Sequence, residues 1–588
     1  MHAPFTTPER AEPNYFGPEE RPLLGWLHHP APGAPVRDVG IVVCQAFGYE
    51  ALCAHRSMRH LATMAARIGV PALRFDYDGK GDSAGEALDP GRWPAWLASV
   101  RAAAEELRAR TGVTRVCLVG MRLGAAVAAE AAPTVPGCDG LVLLAPIIAG
   151  RAALRELRAI EAALGRPDAP PRFAVPQEVQ EAVGFRYDWE TKAAIGRIDL
   201  LALRGQPPAD VLLIDRDDRP PQDELVAAWR GAGRRVDHAV LPGVVETLLD
   251  PHDAQVPAAI LDAVRTWLER RYAPAAVARV TAPPPRRTAR IGRGVTEDVV
   301  ALGPESRLTG VITRPAGTPS RALLFLNAGA NHHVGHGRVY VKLARRLAER
   351  GWLTLRYDVS SVGESATPPG ARENTVYAPS ALEDLAAAIA LVRAQPGVRE
   401  VEAVGLCSGA FHAFKGAVRG LALDGVVAVN PLVFFWRPDM PLAYPPYRMV
   451  SDAASLQRSM RSPRKWLKLL RGGVDVRGAV HVLGQRAADV ARNVGRDAAR
   501  ALGATFADDL TAEIDTLVAR GVRLRFIFSV GDPGEAILLG TAGRRLASLQ
   551  RRGKARISHL ELCDHSLSKA WMHEALWERL AADLGVPG

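Results

Sequence analysis

The chain repeats itself, and this repeat constrains its fold more than any other feature of the sequence. Motifs of the first half recur in the second at one offset, 356 − 74 = 282 positions. A shared register across several separate motifs indicates an internal duplication, so both copies should take the same fold. The paired motifs are Arg74-Phe75-Asp76 with Arg356-Tyr357-Asp358, Gly81-Asp82-Ser83 with Gly363-Glu364-Ser365, and residues 41–45 with 323–327.

Each copy alternates strand-like and helix-like patterns in the same order. Such alternation predicts a mostly parallel sheet flanked by helices, so we expect an α/β chain of two tandem domains. A helical insertion is predicted late in each half, at about 150–205 and 436–520. In the first half we predict strands at 42–44, 70–76, 113–120 and 140–144 and helices at 58–67, 96–110 and 125–131; the second half repeats this order over 323–429.

The length of 588 residues also requires more than one hydrophobic core. Residues 273–294 contain the run Pro283-Pro284-Pro285-Arg286-Arg287 and lack hydrophobic periodicity, which is typical of a linker. We therefore place one domain at 1–272 and a second at 295–588.

Composition argues against several functional classes. With 48% hydrophobic and 23% charged residues, the sequence is typical of a globular protein. We find no apolar run of about 18 residues and no apolar segment in the first twenty positions, so we expect neither a membrane span nor a signal peptide. The six cysteines include no close pairs, which argues against a disulfide framework or a zinc site. We expect a cytoplasmic protein with free thiols, no cofactor and no metal.

The net charge of +11 comes with no nucleic-acid-binding motif, so we expect no nucleic-acid partner. One stretch is locally basic: residues 437–500 hold 13 Arg and Lys against 5 Asp. A solvated helical surface explains such a bias, and charge alone favours that interpretation. The alternative is a docking surface for an acidic partner or an anionic substrate.

The run Gly405-Leu406-Cys407-Ser408-Gly409 follows the apolar segment 401–404 and precedes a helical pattern. This context predicts a strand, a tight turn and a helix, with a nucleophile held in the turn. The turn forces the nucleophile into a strained backbone conformation, which requires small neighbours, and both flanking positions are glycine. A thiol at this place indicates covalent acyl chemistry. A buried, inert cysteine and a nucleophilic Ser408 are the alternatives.

The first half has the equivalent turn at Gly120-Met121-Arg122-Leu123-Gly124, where Arg122 replaces the cysteine. A guanidinium cannot lose its proton in a protein, so this half should be catalytically inactive. Alignment of 212–218 with 526–532 places Asp218 where an acid would lie, and a second alignment places Val244 where a histidine would lie. We hypothesise that Arg122 and Asp218 form a buried ion pair. A structural role is favoured over anion binding by Arg122.

Both halves resemble α/β-hydrolase-fold proteins of the serine-aminopeptidase-like group. More narrowly, they are similar to the small hydrolase-like proteins encoded with bacterial exosortase systems. The resemblance covers nearly the whole chain outside the linker. It rests on Phe47-Gly48-Tyr49-Glu50-Ala51, His55-Arg56-Ser57, the run from Arg74 to Ser83, Asp250-Pro251-His252, Leu326-Asn327-Ala328-Gly329-Ala330, Arg356-Tyr357-Asp358, the Cys407 turn and Asn430-Pro431.

In this fold the order along the chain is nucleophile, acid, histidine. After Cys407, Asp532 follows a predicted strand in Gly531-Asp532-Pro533-Gly534, with Glu535 in reserve, and His565 follows the next strand. His565 would accept the thiol proton and Asp532 would orient its ring, although Asp532 could instead only cap a turn. The expected oxyanion-binding N–H groups are those of Ser408 and of Ala328 or Gly329.

Three histidines, His332, His333 and His336, lie close together without an acidic or cysteine neighbour that would complete a metal site. We therefore interpret them as polar loop residues. Asp564, next to His565, is interpreted as a local turn residue.

A cysteine nucleophile favours acyl transfer or thioester hydrolysis over simple ester hydrolysis. The expected substrate is an acyl thioester on coenzyme A or on an acyl carrier protein, or an activated ester. Basic residues of the second insertion (Arg461, Arg464, Lys465 and Lys468) could receive an acidic carrier. Two alternatives remain: a plain esterase or peptidase, and a non-catalytic scaffold in which both halves are inactive.

Overall fold

The computed structural model describes residues 11–586 except 165–167, 175–177, 204–206, 278–279, 293, 438–439, 441, 443–494, 496–501, 503 and 505. Much of the predicted helical insertion at about 436–520 lies outside the described residues, and so do the four basic residues Arg461, Arg464, Lys465 and Lys468.

The first half forms ten strands and eight helices within the described residues. The strands are β1 (Glu12–Phe16), β2 (Leu23–His28), β3 (Val39–Cys44), β4 (Ala72–Phe75), β5 (Arg115–Met121), β6 (Cys138–Leu144), β7 (Gln180–Ala182), β8 (Phe185–Tyr187), β9 (Asp210–Arg216) and β10 (Arg235–Leu241). The helices are α1 (Tyr49–Arg67), α2 (Arg92–Thr111), α3 (Leu123–Ala131), α4 (Gly150–Leu164), α5 (Trp189–Gly196), α6 (Asp223–Gly231), α7 (Val244–Thr247) and α8 (Ala258–Arg271).

The second half forms nine strands and six helices among the residues that can be described. The strands are β11 (Thr288–Arg290), β12 (Thr296–Leu302), β13 (Leu308–Arg314), β14 (Arg321–Leu326), β15 (Leu353–Asp358), β16 (Glu400–Leu406), β17 (Gly425–Val429), β18 (Arg523–Ser529) and β19 (Ala555–Leu560). The helices are α9 (Val339–Ala348), α10 (Ala381–Arg393), α11 (Ser408–Val418), α12 (Leu510–Ala519), α13 (Pro533–Arg551) and α14 (Ala570–Leu584).

The first sheet has the strand order β1-β2-β4-β3-β5-β6-β9-β10, and it is parallel from β4 onward. Its central strands are apolar and buried along their whole length, because helices cover both faces. The strands β14, β16, β17, β18 and β19 of the second half pair in that order, all parallel. The prediction of an α/β fold with two mostly parallel sheets is confirmed.

The elements begin and end at places that the sequence pattern only approximates. Helix α1 begins at Tyr49, nine residues before the predicted start at 58 (58 − 49 = 9). The first insertion is not entirely helical, because the hairpin β7–β8 lies between α4 and α5. Within the predicted linker, β11 pairs antiparallel with β12.

The chain divides into two compact units that do not follow the two halves. Unit 1 holds residues 1–320, 329–376 and 568–574, and unit 2 holds 321–328, 377–567 and 575–588. The predicted domain boundaries at 272 and 295 stay predictions. None of the helices in the described part of the chain is long and apolar enough to cross a membrane.

Unit 1 contains a pair of crossed contacts between equivalent residues of the two copies. Arg74 of the first copy donates two hydrogen bonds to Glu364 of the second, at 2.8 and 2.7 Å. Reciprocally, Arg356 of the second copy donates to Asp82 of the first. All four side chains are buried. Since Arg74 matches Arg356 and Asp82 matches Glu364 in the repeat, the copies contact each other through the same residues in both directions.

Candidate active site

Cys407 lies in a tight turn between the end of β16 and the start of α11. Its backbone angles are φ 54° and ψ −112°, a conformation that non-glycine residues rarely adopt. The backbone N–H of Cys407 donates to the carbonyl oxygen of Val429 at 3.0 Å, which fixes the turn to the end of β17. The side chain is partly exposed, whereas most other cysteines are buried.

The two flanking glycines are required by close backbone contacts. A Cβ atom on Gly405 would lie 2.1 Å from the carbonyl carbon of Gly409. A Cβ atom on Gly409 would lie 2.7 Å from the carbonyl oxygen of Leu326. Helix α11 therefore starts directly against the ends of β16 and β14, and this packing holds the thiol at the edge of the sheet.

Asp532 and His565 are brought together by the loops after β18 and β19. The Nδ1 atom of His565 lies 2.7 Å from Oδ2 of Asp532. The other carboxylate oxygen, Oδ1, accepts the backbone N–H of Gly534 at 2.8 Å and so caps α13. Only 1% of the Asp532 side chain is exposed. The residue therefore caps a helix and orients the imidazole at the same time.

The second ring nitrogen of His565, Nε2, is buried and has no hydrogen-bond partner among the described residues. Burial opposes protonation of the ring, but the hydrogen bond to Asp532 and the proximity of Cys407 raise the pKa of His565 to about 10. The thiol of Cys407 is thus near enough to interact with the imidazole. The imidazole can therefore take up a proton from the neighbouring thiol.

Asn430 supports the site, and sequence analysis gave it no role. Its Nδ2 donates to the carbonyl oxygen of His565 at 2.8 Å and to the hydroxyl of Ser529 at 3.0 Å. Its Oδ1 accepts the backbone N–H of Ser529 at 2.8 Å. Asn430 also has a positive φ of 43°. Its side-chain amide therefore connects the end of β18 to the loop that carries His565. In the sequence, the Asn-Pro pair after β17 was the only pattern that pointed to Asn430.

The remaining predicted site residues are Ser408, Glu535, Ala328 and Gly329. The hydroxyl of Ser408 is buried and lies 3.5 Å from the carbonyl oxygen of Asn327, so it does not take the place of Cys407. Glu535 lies 2.7 Å from the Nε2 atom of His559, on the surface, rather than at His565. Ala328 belongs to the same unit as Cys407, whereas Gly329 belongs to unit 1; their roles in oxyanion binding stay predictions.

Aromatic rings form a wall near Cys407. The ring of Tyr377 stacks on that of Trp436 with centroids 4.1 Å apart, and it meets the edge of Phe411 at 5.2 Å. Burial and the nearby charge of Cys407 raise the pKa of the Tyr377 phenol. The three rings are half-buried, so this wall, formed by Tyr377, Phe411 and Trp436, can contact a bound molecule.

In the first half, Arg122 has nearly the same backbone angles as Cys407, φ 55° and ψ −120°. Its guanidinium lies 2.8 Å from Glu50 and 3.4 Å from Glu156. Asp218 is exposed and instead pairs with Arg216 at 2.6 Å. The hypothesis of an Arg122–Asp218 ion pair is therefore wrong, and two carboxylates already balance the charge of Arg122, which favours a structural role.

A one-residue error in the alignment explains this miss. The N–H of Ala145 donates to Ile214, and the N–H of Asn430 donates to Ile527 in the equivalent turn. The backbone register therefore gives an offset of 527 − 214 = 313, one less than the 314 used to align 212–218 with 526–532. With this register, Arg219 rather than Asp218 matches Asp532. Val244, predicted to replace the histidine, is the buried first residue of α7.

The three neighbouring histidines all lie in unit 1. His333 is buried, with Nδ1 2.7 Å from Asp358 and Nε2 2.8 Å from Asp82, and these carboxylates raise its pKa against the effect of burial. His332 stacks on His55 at 4.2 Å, and its pKa falls to about 3 through burial and the neighbouring histidines. No group of three metal-ligating side chains was found in the part of the chain that is described.

Residues 52–201 match the family model of serine aminopeptidase S33. This is 150 residues (201 − 52 + 1), about a quarter of the chain, and the segment contains the Arg122 turn rather than the Cys407 turn. The match supports an α/β hydrolase of the general kind that the resemblance implied. No curated protein matches the chain.

Several solved structures resemble part of the chain. Est1E from Butyrivibrio proteoclasticus has 17% identity and a TM-score of 0.32, covering 44% of this chain and 98% of its own. Proline iminopeptidase from Mycobacterium smegmatis has 15% identity and a TM-score of 0.33, covering 44% and 98%. The esterase domain of a Rhodothermus marinus protein has 19% identity and a TM-score of 0.30, covering 45% and 99%. At these scores the likenesses carry no functional argument.

Proposed function

We propose that the second half is a cysteine-dependent enzyme that hydrolyses or transfers acyl groups through an S-acyl intermediate on Cys407. The observation that carries this proposal is the pairing of His565 with Asp532 at 2.7 Å while the other ring nitrogen stays free near the thiol. Nucleophile, base and orienting acid follow each other along the chain in the order of this fold.

The reaction begins when Nε2 of His565 accepts the proton of the Cys407 thiol. The thiolate sulfur then attacks the carbonyl carbon of the substrate, and the negative charge develops on the carbonyl oxygen. We assign one donor for this oxygen to the backbone N–H of Ser408, the first residue of α11. We assign the second donor to the N–H of Ala328 or Gly329.

Collapse of the tetrahedral intermediate breaks the bond to the leaving group, which takes the proton from His565. Water or another acceptor then attacks the thioester carbonyl, with His565 again removing a proton, and Cys407 is released. Asp532 keeps the ring in the tautomer that presents Nε2 to the sulfur. Cys407 directly precedes the N-terminus of α11, which places partial positive charge beside the sulfur.

A thiol nucleophile favours thioester donors, because an S-acyl enzyme exchanges readily with other thiols and reacts with amines. We therefore propose an acyl thioester on coenzyme A or an acyl carrier protein, or an activated ester. The wall of Tyr377, Phe411 and Trp436 supports an apolar or flat acyl group, since these rings offer an apolar surface beside the sulfur.

Intact-mass spectrometry tests the proposal. The protein is incubated with acetyl, hexanoyl and benzoyl thioesters, alongside Cys407→Ala and the control Cys138→Ala, which changes a second partly exposed cysteine. We expect the acyl mass to appear on the wild type and on Cys138→Ala, and to be absent from Cys407→Ala.

A chase with water, amines and thiols then separates the two reactions. Loss of the acyl mass in buffer alone indicates a hydrolase, and loss only with an added acceptor indicates a transferase. If no donor acylates the protein, and iodoacetamide does not modify Cys407 selectively near pH 7, the proposal is refuted.

A further inference from the structure

Unit 1 contains a cavity of about 100 Å³ that includes none of the residues Cys407, Asp532 and His565. The loops after β3 and β4, the hairpin β7–β8 and the segment leading into α9 surround it. Both copies of the repeat therefore contribute to its lining. The rings of Phe47, Phe75, Tyr77 and Phe185 provide an apolar surface.

The charged side chains of the lining are mostly cationic. They comprise Lys80, Lys342, Arg338 and Arg186, against the single carboxyl group of Asp76. Asp76 is turned toward the backbone, and its Oδ2 accepts the N–H of Asp82 at 2.9 Å. The cavity therefore holds an excess of positive charge.

The two arginines of the lining are occupied by the protein itself. Arg338 donates from all three of its nitrogens to carbonyl oxygens of the loop after β4, at 2.8 to 3.0 Å. Arg186 donates to Glu181 at 3.2 Å. These guanidinium groups hold loops in place and are not available as the main contact for a ligand.

The two lysines differ from the arginines, because neither amine has a hydrogen bond or ion pair to a side chain within the described residues. Nζ of Lys80 lies among three rings, 5.2 Å from the centroid of Trp96, 5.4 Å from Tyr187 and 5.9 Å from Phe47. Such rings stabilise a cation only weakly compared with a carboxylate. Both lysines are half-buried. An ammonium that loses part of its hydration without gaining a counter-ion is destabilised, so the positive charge of the site is not balanced.

The pKa values of both lysines are lowered. Burial, followed by the charges of Arg338, Arg92 and Lys342, lowers the pKa of Lys80 to about 7. Burial lowers the pKa of Lys342 to about 8, with Glu86 and Glu574 opposing and Arg338 and Arg186 adding to the effect. The histidines of the lining, His55 and His332, stack on each other and add no carboxylate.

We propose that this cavity binds a small monocarboxylic acid with an apolar body, whose carboxylate pairs with the amines of Lys80 and Lys342. A phosphate dianion fits less well, because the forked donors that suit phosphate are already occupied. The aromatic lining receives the apolar body, as in other concave sites with few polar groups. The site is separate from the proposed acyl chemistry and does not depend on it.

Site-resolved amine labelling of the full chain tests this proposal. The protein is labelled with trace acetic anhydride between pH 5.5 and 10, and the rate at Lys80 is read by peptide mass spectrometry. Benzoate, hexanoate and inorganic phosphate serve as probes. A bound carboxylate stabilises the charged amine and so raises the pKa of Lys80. A rise from about 7 to about 8.5 lowers the labelling rate at pH 7.5 roughly eightfold.

The exposed Lys554 is the internal control, and its labelling should not change. Lys342→Met should weaken the protection of Lys80 by benzoate at least tenfold in concentration. The proposal is overturned if neither carboxylate protects Lys80, if phosphate protects it equally well, or if Lys342→Met leaves the protection intact. The wild-type labelling decides the question even if that variant fails to fold.

Discussion

The crossed contact between Arg74 and Glu364 predicts a large and specific loss of stability. Arg74→Met removes the bidentate partner of a carboxylate that is only 4% exposed. Glu364 would keep His55, at 2.9 Å, as its nearest remaining partner. Breaking a buried pair by removing one member destabilises a protein by about 3–5 kcal/mol, because the remaining charge stays desolvated.

The same argument predicts a recovery in the double variant. Arg74→Met/Glu364→Met removes both charges and leaves apolar groups of similar length in a buried place. Replacing a whole buried pair in this way is close to neutral or stabilising. The two substitutions should therefore be strongly non-additive, since they act on one contact.

Native-state hydrogen exchange of the amides in β4 and β15 is a suitable assay, because it reports opening of unit 1 without requiring two-state unfolding of the whole chain. A loss of about 3–5 kcal/mol corresponds to exchange roughly 10² to nearly 10⁴ times faster, at about 1.4 kcal/mol per tenfold change. The matched control is Arg235→Met, whose ion pair with Asp210 is as short, 2.6 Å, but whose side chain is 72% exposed.

We expect the control to leave the exchange rates close to wild type, since Asp210 keeps Arg271 as a partner and exposed pairs contribute little. The reasoning fails if Arg74→Met exchanges no faster than the control. It also fails if the double variant is as unstable as Arg74→Met.

Three further predictions concern the candidate site and the pH dependence of unit 1. Asp532→Asn keeps an oxygen to cap α13 but removes the charge that helps raise the pKa of His565. Turnover should therefore fall by about 10² to 10⁴ while the circular dichroism spectrum is unchanged. The control variant Glu535→Gln should retain activity. Asn430→Ala removes the hydrogen bond to the carbonyl oxygen of His565, so kcat should fall by a larger factor than KM rises. A variant with the kcat and KM of the wild type would contradict this role. Arg74 and His55 hold the pKa of Glu364 well below its usual 4.5 despite burial. The stability that Glu364 contributes is therefore present above about pH 4.5 and is lost as the pH falls below that value. The urea midpoint should decline between pH 7 and pH 3, and a midpoint that does not change with pH would count against the assignment.

The sequence predicted those features that depend on local patterns. The repeat, the alternation of strands and helices and the small residues around Cys407 all follow from short-range spacing and backbone geometry. The order of Cys407, Asp532 and His565 along the chain was also sufficient, because all three follow parallel strands whose carboxyl ends lie at the same edge of the sheet. The catalytic roles of these three residues stay a prediction that the acylation experiment tests.

Other features depend on contacts that no local pattern encodes. The pairing of Arg122 with Glu50 and Glu156 was missed because these carboxylates lie on other helices, 72 and 34 positions away along the chain. The crossed contacts of Arg74 and Arg356 were missed because each joins positions almost three hundred residues apart. The role of Asn430 was missed because its amide acts on the backbone of another loop.

The crossed ion pairs bear on how the chain can be divided. A fragment ending at the linker would lack Glu364 and Arg356, so Arg74 and Asp82 would lose the side chains that neutralise them. An ion that stays buried without its partner destabilises a protein by several kcal/mol, which is comparable to the whole stability of a typical domain. Reciprocal contacts of this kind characterise the two-fold interface of a homodimer. We therefore expect that separate expression of residues 1–272 gives an unstable or aggregating product.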